Sequence, residues 1–436
     1  MINWQKRILT KNARNWYFLS QNLSRGRKIV DSKLKTKRIL QKAGVPVPKV
    51  LGLLKTPEDV DKFSWEKIKG GFVIKPVSGL AGKGIWVIRK QAKWAGEWFL
   101  MDGRKVAVAD LRYHCLDVLR GQFSLRSLPD STLVEERVKI IAKLLRFTKT
   151  GAPDIRVVVF NQVPIMAMMR IPTEESGGRG NLHQGAVGLG LDMTTGITTF
   201  AVRRDRPLDK IMDLRRKKMI KVNGIKIPFW ERILETAVKA QQAVPSLNFV
   251  GVDVVLDKEK GPLVLEINAR PGLSIQICNR AGLRDRLKRV EGIKVRSVDH
   301  AVNIARSLFG SSFVDKVGVD KETKVVSTLE VVRLKTAVKK KRFEITARID
   351  SGAYRSSIDK QLAKDLGLLK SDNILYYRHY RSALGKNHRR PVIGLVFWLK
   401  GKKIVTSASV TNRSHLRAKL LLGRRDLQGF VVRFDE

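Results

Sequence analysis

Short apolar runs recur along most of the chain. "FVIKP", "STLVEERV", "DIRVVVFNQVPIMAMMRIP", "GITTFAV", "NFVGVDVVLD" and "GPLVLEINA" are rich in Val, Ile, Leu and Phe and are bounded by Gly, Pro, Asn or Asp. That pattern predicts strands. Helical spacing appears in fewer places. In "VDSKLKTKRILQKAGVPVP" the positions Leu34, Ile39 and Leu40 suit one helix face, and Gly44, Pro46 and Pro48 end it. Further helices are predicted over Ile227 to Gln242 and Val298 to Leu308. A basic amphipathic helical segment occupies residues 1–30, a mixed α/β body residues 31–310, and a Ser, Gly, Asp and Lys-rich linker residues 311–326. Residues 327–436 form a second, strand-rich domain of ordinary size.

Within this pattern a few polar residues interrupt apolar strands. In "VLEINARPGL" Glu266 and Asn268 are two residues apart and so share a strand face, while Leu265 and Ile267 point to the other. Alone, such a step reads as an edge strand with a solvated face. The preceding strand, however, carries Asp253 between Val252 and Val254, and a turn at Lys258 to Gly261 folds the two into a hairpin. If Asp253 lies across from Glu266 and Asn268, three hard oxygen donors converge, a set suited to Mg²⁺ or Mn²⁺ with nucleotide phosphates completing the shell.

A second constellation lies nearer the N-terminus. "IKPVSGLAGKGI" places Gly79, Gly82 and Gly84 between two strands, with Lys75 at the end of the first. Glycines let the backbone approach an anion closely. The spacing matches neither the P-loop nor the dinucleotide fingerprint. It fits a glycine-rich flap over phosphates, with an ordinary hairpin as the alternative if Lys75 is ignored. Arg156, Arg170 and Arg270 add groups able to bind phosphate or carboxylate bidentately.

Composition changes the picture in one respect. The 436 residues are 43% hydrophobic, and they carry a net charge of +46 with a pI near 10.6. This excess favours polyanionic partners, ribosomal or nucleic-acid-associated, or reflects a basic bias of the source proteome. No RNP-type interleaving and no zinc-finger spacing is present. Cys115 and Cys278 lack a metal-ligand or disulfide pattern, and no run reaches the ~20 apolar residues of a membrane helix. A soluble cytoplasmic protein with no membrane partner is expected.

The order of these parts resembles the ATP-grasp superfamily, and within it the ribosomal-protein-modifying glutamate ligases and the alpha-L-glutamate ligase-related proteins. The resemblance runs from about residue 12 to 308 through "NARNWYFLSQN", "VIKPVSGLAGKGI", "DIRVVVF", "MAMMRIPTEESGGRGNLHQGAVGLGLD", "GVDVVLD" and "LVLEINARPGLSIQICNRAGL". It implies an α+β (mixed α/β) ATP-grasp body and an ATP- and Mg²⁺-dependent ligase joining a carboxylate, such as an amino acid, to an amine. It also implies roles. Lys33 and Lys75 hold nucleotide phosphates, and Glu135, Glu136, Arg137 and Val138 form the adenine-side hinge through their backbone. Asp154 lies near the ribose, and Arg179 and Asn181 face the phosphates. Asp253, Glu266 and Asn268 bind the metal, and Arg156, Arg170 and Arg270 lie near the acyl phosphate and acceptor. The rival functions are a phosphotransferase on the same fold and a basic binding scaffold. A homo-oligomer is compatible with either.

In the last domain "EITARIDSGAYRSSI" and "KLLLGRRDLQGF" resemble the retroviral-type aspartic proteases and bacterial relatives called ATP-dependent zinc proteases. Asp350 would be one carboxylate of a dyad. Because D-[ST]-G occurs once, catalysis would need a second copy of the chain, and a β-barrel used for binding is the favoured reading. His379, His388 and His415 lack zinc-site spacing.

Overall fold

A computed structural model describes residues 7–79, 82–92, 96–124, 127–310, 324–336, 342–381 and 387–433. Three hydrophobic cores organise the chain, one for each of three sheets.

The first sheet has six antiparallel strands in the order Val50–Leu54, Thr132–Glu136, Phe72–Pro76, Trp86–Gln91, Glu97–Leu100 and Lys105–Ala107. Its core is built on Trp65, Phe72 and Trp98, which pack edge to face or tilted at 5.6 to 6.2 Å. Such aromatic pairs add about 1 kcal/mol each beyond area burial.

The second sheet has seven antiparallel strands, ordered Arg206–Leu208, Thr198–Arg203, Val187–Leu191, Val163–Ile171, Asp154–Phe160, Phe249–Asp257 and Gly261–Asn268. Strands Val163–Ile171 and Phe249–Asp257 are buried along their whole length, which is why they read as nearly continuous apolar runs. Helices Trp230–Gln242 and Val298–Phe309 pack against this sheet. The first was expected from Ile227. Pro228 precedes it and Phe229 takes a left-handed backbone (φ 55°), so regular helix begins only at Trp230.

The N-terminal segment is not one helix. Lys11–Ala13, Arg14–Phe18 and Leu19–Gln21 form successive irregular turns, and Ser24–Val30 follows as a separate helix. The break is at Asn22, whose buried Nδ2 donates to the carbonyls of Phe249 (2.7 Å) and Ala269 (2.9 Å). Phe18 meets Phe160 edge to face at 5.5 Å. The segment is thus part of the second core.

In the C-terminal domain, strands Leu329–Leu334, Phe343–Asp350, Leu420–Gly423, Ser357–Asp359, Lys402–Thr411 and Asn387–Leu399 pair in that order. Leu329–Leu334 also pairs with Asn387–Leu399, which closes a six-stranded barrel, and Ile374–Arg381 is added outside it. Most of the expected linker lies outside the described residues. Its last three, Lys324–Val326, pair in parallel with Phe430–Val432. The barrel rests on helix Val298–Phe309, where buried His300 Nε2 lies 2.9 Å from the Ile374 carbonyl. Among the described residues no helix is long and apolar enough to cross a membrane. Burial pushes both cysteine thiols up to about 12, so neither is a ready nucleophile.

Candidate active site

The hairpin Phe249–Asp257 and Gly261–Asn268 sets the geometry. Asp253 stands directly opposite Glu266, and Gly251 opposite Asn268; a bulge then shifts the pairing so that Val254 faces Val264. Asp253, Glu266 and Asn268 therefore share a face, as the two-residue spacing predicts, and the bulge follows immediately after them. Bulges often re-aim side chains beside functional sites.

On the other flank of Phe249–Asp257, Arg156 is the cross-strand partner of Asp253, and one strand further Arg170 is the partner of Asp154. Arg156 binds Asp253 through Nε (2.7 Å) and Nη2 (2.6 Å). Arg170 holds Asp154 at 2.6 and 2.5 Å and reaches Asp253 Oδ2 at 2.8 Å. Burial alone would raise the Asp253 carboxyl, but Arg156 and Arg170 outweigh it and hold it below the usual carboxylate range. Burial would likewise lower Arg170, yet Asp154 and Asp253 outweigh it and keep the guanidinium charged. Arg156, Arg170 and Asp253 form a fixed array of charge within an otherwise apolar sheet, while burial, reinforced by Asp253 and opposed by Arg170, pushes the Asp154 carboxyl up.

Asn268 connects this array to Glu266. In one setting its Nδ2 donates to Asp253 Oδ2 at 3.3 Å. In the other, which satisfies both ends of the carboxamide, Nδ2 donates to Glu266 Oε1 and Oδ1 accepts from Arg156 Nη2, each at 3.0 Å.

The donor set fits a small hard cation. Among the described residues no group of three His, Cys, Asp or Glu side chains forms a complete cage. Mg²⁺ needs none, since it is commonly held by one or two carboxylates plus substrate phosphates. Asp253 already accepts from two arginines through both oxygens, whereas the half-buried Glu266 and Asn268 retain oxygen capacity. Glu266 and Asn268 are the direct donors this geometry favours, with Asp253 orienting the arginines behind them.

Facing the hairpin is a second charged group. Lys75, at the end of Phe72–Pro76, is buried and binds Glu135 Oε1 at 2.5 Å. Glu135 Oε2 accepts from Lys37, whose Nζ also donates to the Pro48 carbonyl at 2.8 Å. Burial would raise Glu135, but Lys75 and Lys37 outweigh it and keep it ionised. Burial pushes the Lys37 ammonium down to about 8 despite Glu135. Lys33 Nζ donates to the Gly79 carbonyl (2.7 Å) and so ties its helix to the glycine turn. Burial lowers Lys33 as well, opposed by Glu266 and reinforced by Lys75. Lys33 therefore lies within electrostatic reach of both halves of the site, and an incoming phosphate would favour its charged form.

On either side of residues 80 and 81, which lie outside the described residues, the glycine-rich segment is held by hydrogen bonds. Asp130 Oδ2 accepts from the Ser78 amide at 2.8 Å. Gly82 and Gly84 have φ of 73° and 71°, where a side chain is strained, and a Cβ on Gly84 would lie 2.5 Å from the Phe123 ring. His114 Nε2 lies 3.0 Å from the Gly84 carbonyl, and its ring stacks on Trp86 at 4.1 Å. Arg179 lies against Gly82, and it also lines a cavity of about 680 Å³ shared with Glu175, His183, Gln184 and Arg204. Asn181 Oδ1 accepts from the His183 amide at 3.1 Å, a loop-shaping bond.

The expected residues therefore fall into place unevenly. Lys33, Lys75, Arg156, Arg170, Asp253, Glu266 and Asn268 gather at one site, with Gly79, Gly82, Gly84 and Arg179 over it. Asp154 is taken up by Arg170. At the hinge, Glu135 acts through its side chain, and Glu136 holds Lys260 (2.5 Å) and the Lys49 amide (2.8 Å). Arg137 donates its amide to the Gly71 carbonyl (3.0 Å), and Val138 packs on the second core. Arg270 stands apart: it is exposed, 3.6 Å from Asp31, because the strand ends at Asn268 and Pro271 turns the chain. Lys37 was not anticipated. It follows Lys33 by one helical turn, but nothing in "KLKTKRILQK" separates it from its solvated neighbours.

The profile of the family described as sugar-transfer-associated ATP-grasp matches residues 12–292. A "Probable alpha-L-glutamate ligase" from Thioalkalivibrio sulfidiphilus is 27% identical over 241 residues, 55% of this chain and 56% of that protein. Its namesake from Pseudoalteromonas translucida is 29% identical over 242 residues, again 55% and 56%. The chain thus spans little more than half the length of the curated relatives it matches. A biotin carboxylase complex with β,γ-ATP from Campylobacter jejuni is a solved structural neighbour at 16% identity and TM-score 0.38, covering 63% of this chain and 49% of that one.

Proposed function

The chain belongs to the sugar-transfer-associated ATP-grasp family, and from that membership we propose that it is an ATP-dependent carboxylate–amine ligase of the cytoplasm. The carrying observation is the convergence of Glu266, Asn268 and the Asp253–Arg156–Arg170 array on one face, opposite Lys33 and Lys75 beneath a glycine turn. Nucleotide phosphates would lie between the two groups. Lys33 and Lys75 would bind them from one side, and the amides of the glycine turn would close over them. Glu266 and Asn268 would hold Mg²⁺, which neutralises phosphate charge.

A carboxylate oxygen of the donor would take the γ-phosphoryl group, giving ADP and an acyl phosphate. An amine would then attack the acyl carbon, releasing phosphate and leaving the amide. Arg156 and Arg170, immobilised on Asp253, would stabilise charge on the transferred group without reorganising. The name of the glutamate-ligase relatives makes glutamate the substrate we propose, as the carboxylate donor, with a peptide, protein or small amine as acceptor, which we place in the cavity beside Arg179. A phosphotransferase would consume ATP with a hydroxyl acceptor and retain the phosphate. The test is incubation with Mg-ATP, L-glutamate and a panel of amines. ADP release that rises on adding an amine, with an amide of matching mass, supports the ligase; ADP release indifferent to every amine refutes it.

For the barrel we propose an aspartic-protease-like fold used for binding. Asp350 Oδ1 accepts from the amides of Gly352 (2.9 Å) and Ala353 (3.0 Å), so its own turn holds it, and the single D-S-G of the chain supplies no second carboxylate.

A further inference from the structure

The sequence from Asn373 to Arg425 contains thirteen Lys or Arg and no Asp or Glu. The strands Ile374–Arg381 and Asn387–Leu399 lie in this stretch and form an antiparallel ribbon. From Asn387 to Pro391 the second strand pairs with Ile374–Arg381 alone; pairing with Lys402–Thr411 begins at Val392. This end of the ribbon is therefore two strands wide, outside the closed barrel.

Both faces of the ribbon carry aromatic rings matched with guanidinium groups. Arg389 lies over Tyr377, 4.5 Å from the ring centre, and Tyr377 is 47% exposed. Arg378 and Arg390 oppose each other across the ribbon and both lie over Tyr380, at 5.7 and 5.1 Å. Further along the same barrel, Trp398 lies between Arg342 (4.0 Å) and Lys403 (5.6 Å). Among the described residues none of these arginines has a carboxylate partner within salt-bridge distance. Single arginines lie over exposed rings elsewhere too, at Phe229 and Tyr354, but the ribbon gathers three such pairs on two adjacent strands. A single strand of nucleic acid presents what this surface lacks: phosphates for the guanidiniums and bases to stack on the rings.

We propose that this ribbon is a single-stranded nucleic-acid-binding surface, with Tyr377 as a stacking platform and Arg389, on the same face, as the phosphate contact beside it. An acidic polypeptide or an anionic lipid surface would satisfy the charge but not the rings. The width of the ribbon suits a strand whose bases are already splayed, since duplex bases are stacked on one another and unavailable.

The test uses the full-length protein and a fluorescein-labelled oligothymidylate of about 20 nucleotides, with binding read by anisotropy at about 0.15 M salt and above. The wild type should bind, and Tyr377→Leu should weaken binding about tenfold while Tyr377→Phe keeps it. Arg389→Ala should lower the slope of log affinity against log salt by about one contact's worth. The exposure of Tyr377 and Arg389 makes both variants compatible with folding, which circular dichroism checks. Three results would overturn the proposal: no binding, equal affinity of wild type and Tyr377→Leu, or displacement by poly-glutamate or anionic vesicles as effective as by unlabelled oligothymidylate.

Discussion

Glu266→Ala is expected to abolish ADP formation while leaving the protein folded. The carboxylate is half-buried on the rim of the hairpin and faces the lysine side of the site, so its removal opens no core cavity. Stability should fall by no more than about 1 kcal/mol, the cost of losing the Asn268 Nδ2–Glu266 Oε1 hydrogen bond on a half-buried rim. The cost falls on the chemistry. Without Glu266, only Asn268 and the already engaged Asp253 remain to hold a divalent cation, and the phosphate charge loses a stabilisation worth several kcal/mol. A loss of at least about a hundredfold in turnover follows from that magnitude. The assay is ADP release by the purified variant beside a urea titration. Undiminished turnover would remove Glu266 from the site.

Asp253→Ala is expected to unfold the body more readily. Arg156 would lose its carboxylate and Arg170 one of its two, both inside the sheet. Removing one partner of a buried ion pair costs about 3–5 kcal/mol, because the remaining charge is left without compensation. The urea midpoint of the variant should fall accordingly. The same array gives an acid limb to wild-type stability. The folded Asp253 carboxyl is held below its unfolded value, so its contribution is complete above the ordinary carboxylate range and is lost as pH falls through the depressed folded value. The variant should lack that part of the acid limb. An unfolding free energy within about 1 kcal/mol of wild type would mean that the arginines find solvent or other partners.

The parts of this site legible in the sequence are those set by short-range geometry. Period-2 spacing put Glu266 and Asn268 on one face, and the turn at Lys258 to Gly261 brought Asp253 across from them. Lys75 at a strand end and the glycines after it were equally local. What was hidden depends on long-range pairing. That Arg156 and Arg170 both close on Asp253 requires the strand order of the second sheet. The burial of Lys37 requires the first sheet to cover one turn of a lysine-rich helix. Arg270 continues the alternation of Glu266 and Asn268 on paper, but the strand ends before reaching it. The barrel closes through Leu329–Leu334 on Asn387–Leu399, more than fifty residues apart, which no local pattern announces.

The proposed reaction turns on a carboxylate that is phosphorylated and then released as an amide. The most direct measurement follows oxygen. With L-glutamate labelled by ¹⁸O in its carboxylates, Mg-ATP and an amine that supports turnover, the phosphate released should carry one ¹⁸O. That atom attacks the γ-phosphorus and leaves with it when the amine displaces the acyl phosphate. Phosphate free of ¹⁸O, formed as fast as ADP, would contradict an acyl-phosphate route, because ATP would then be split by water or by another acceptor and not by the carboxylate.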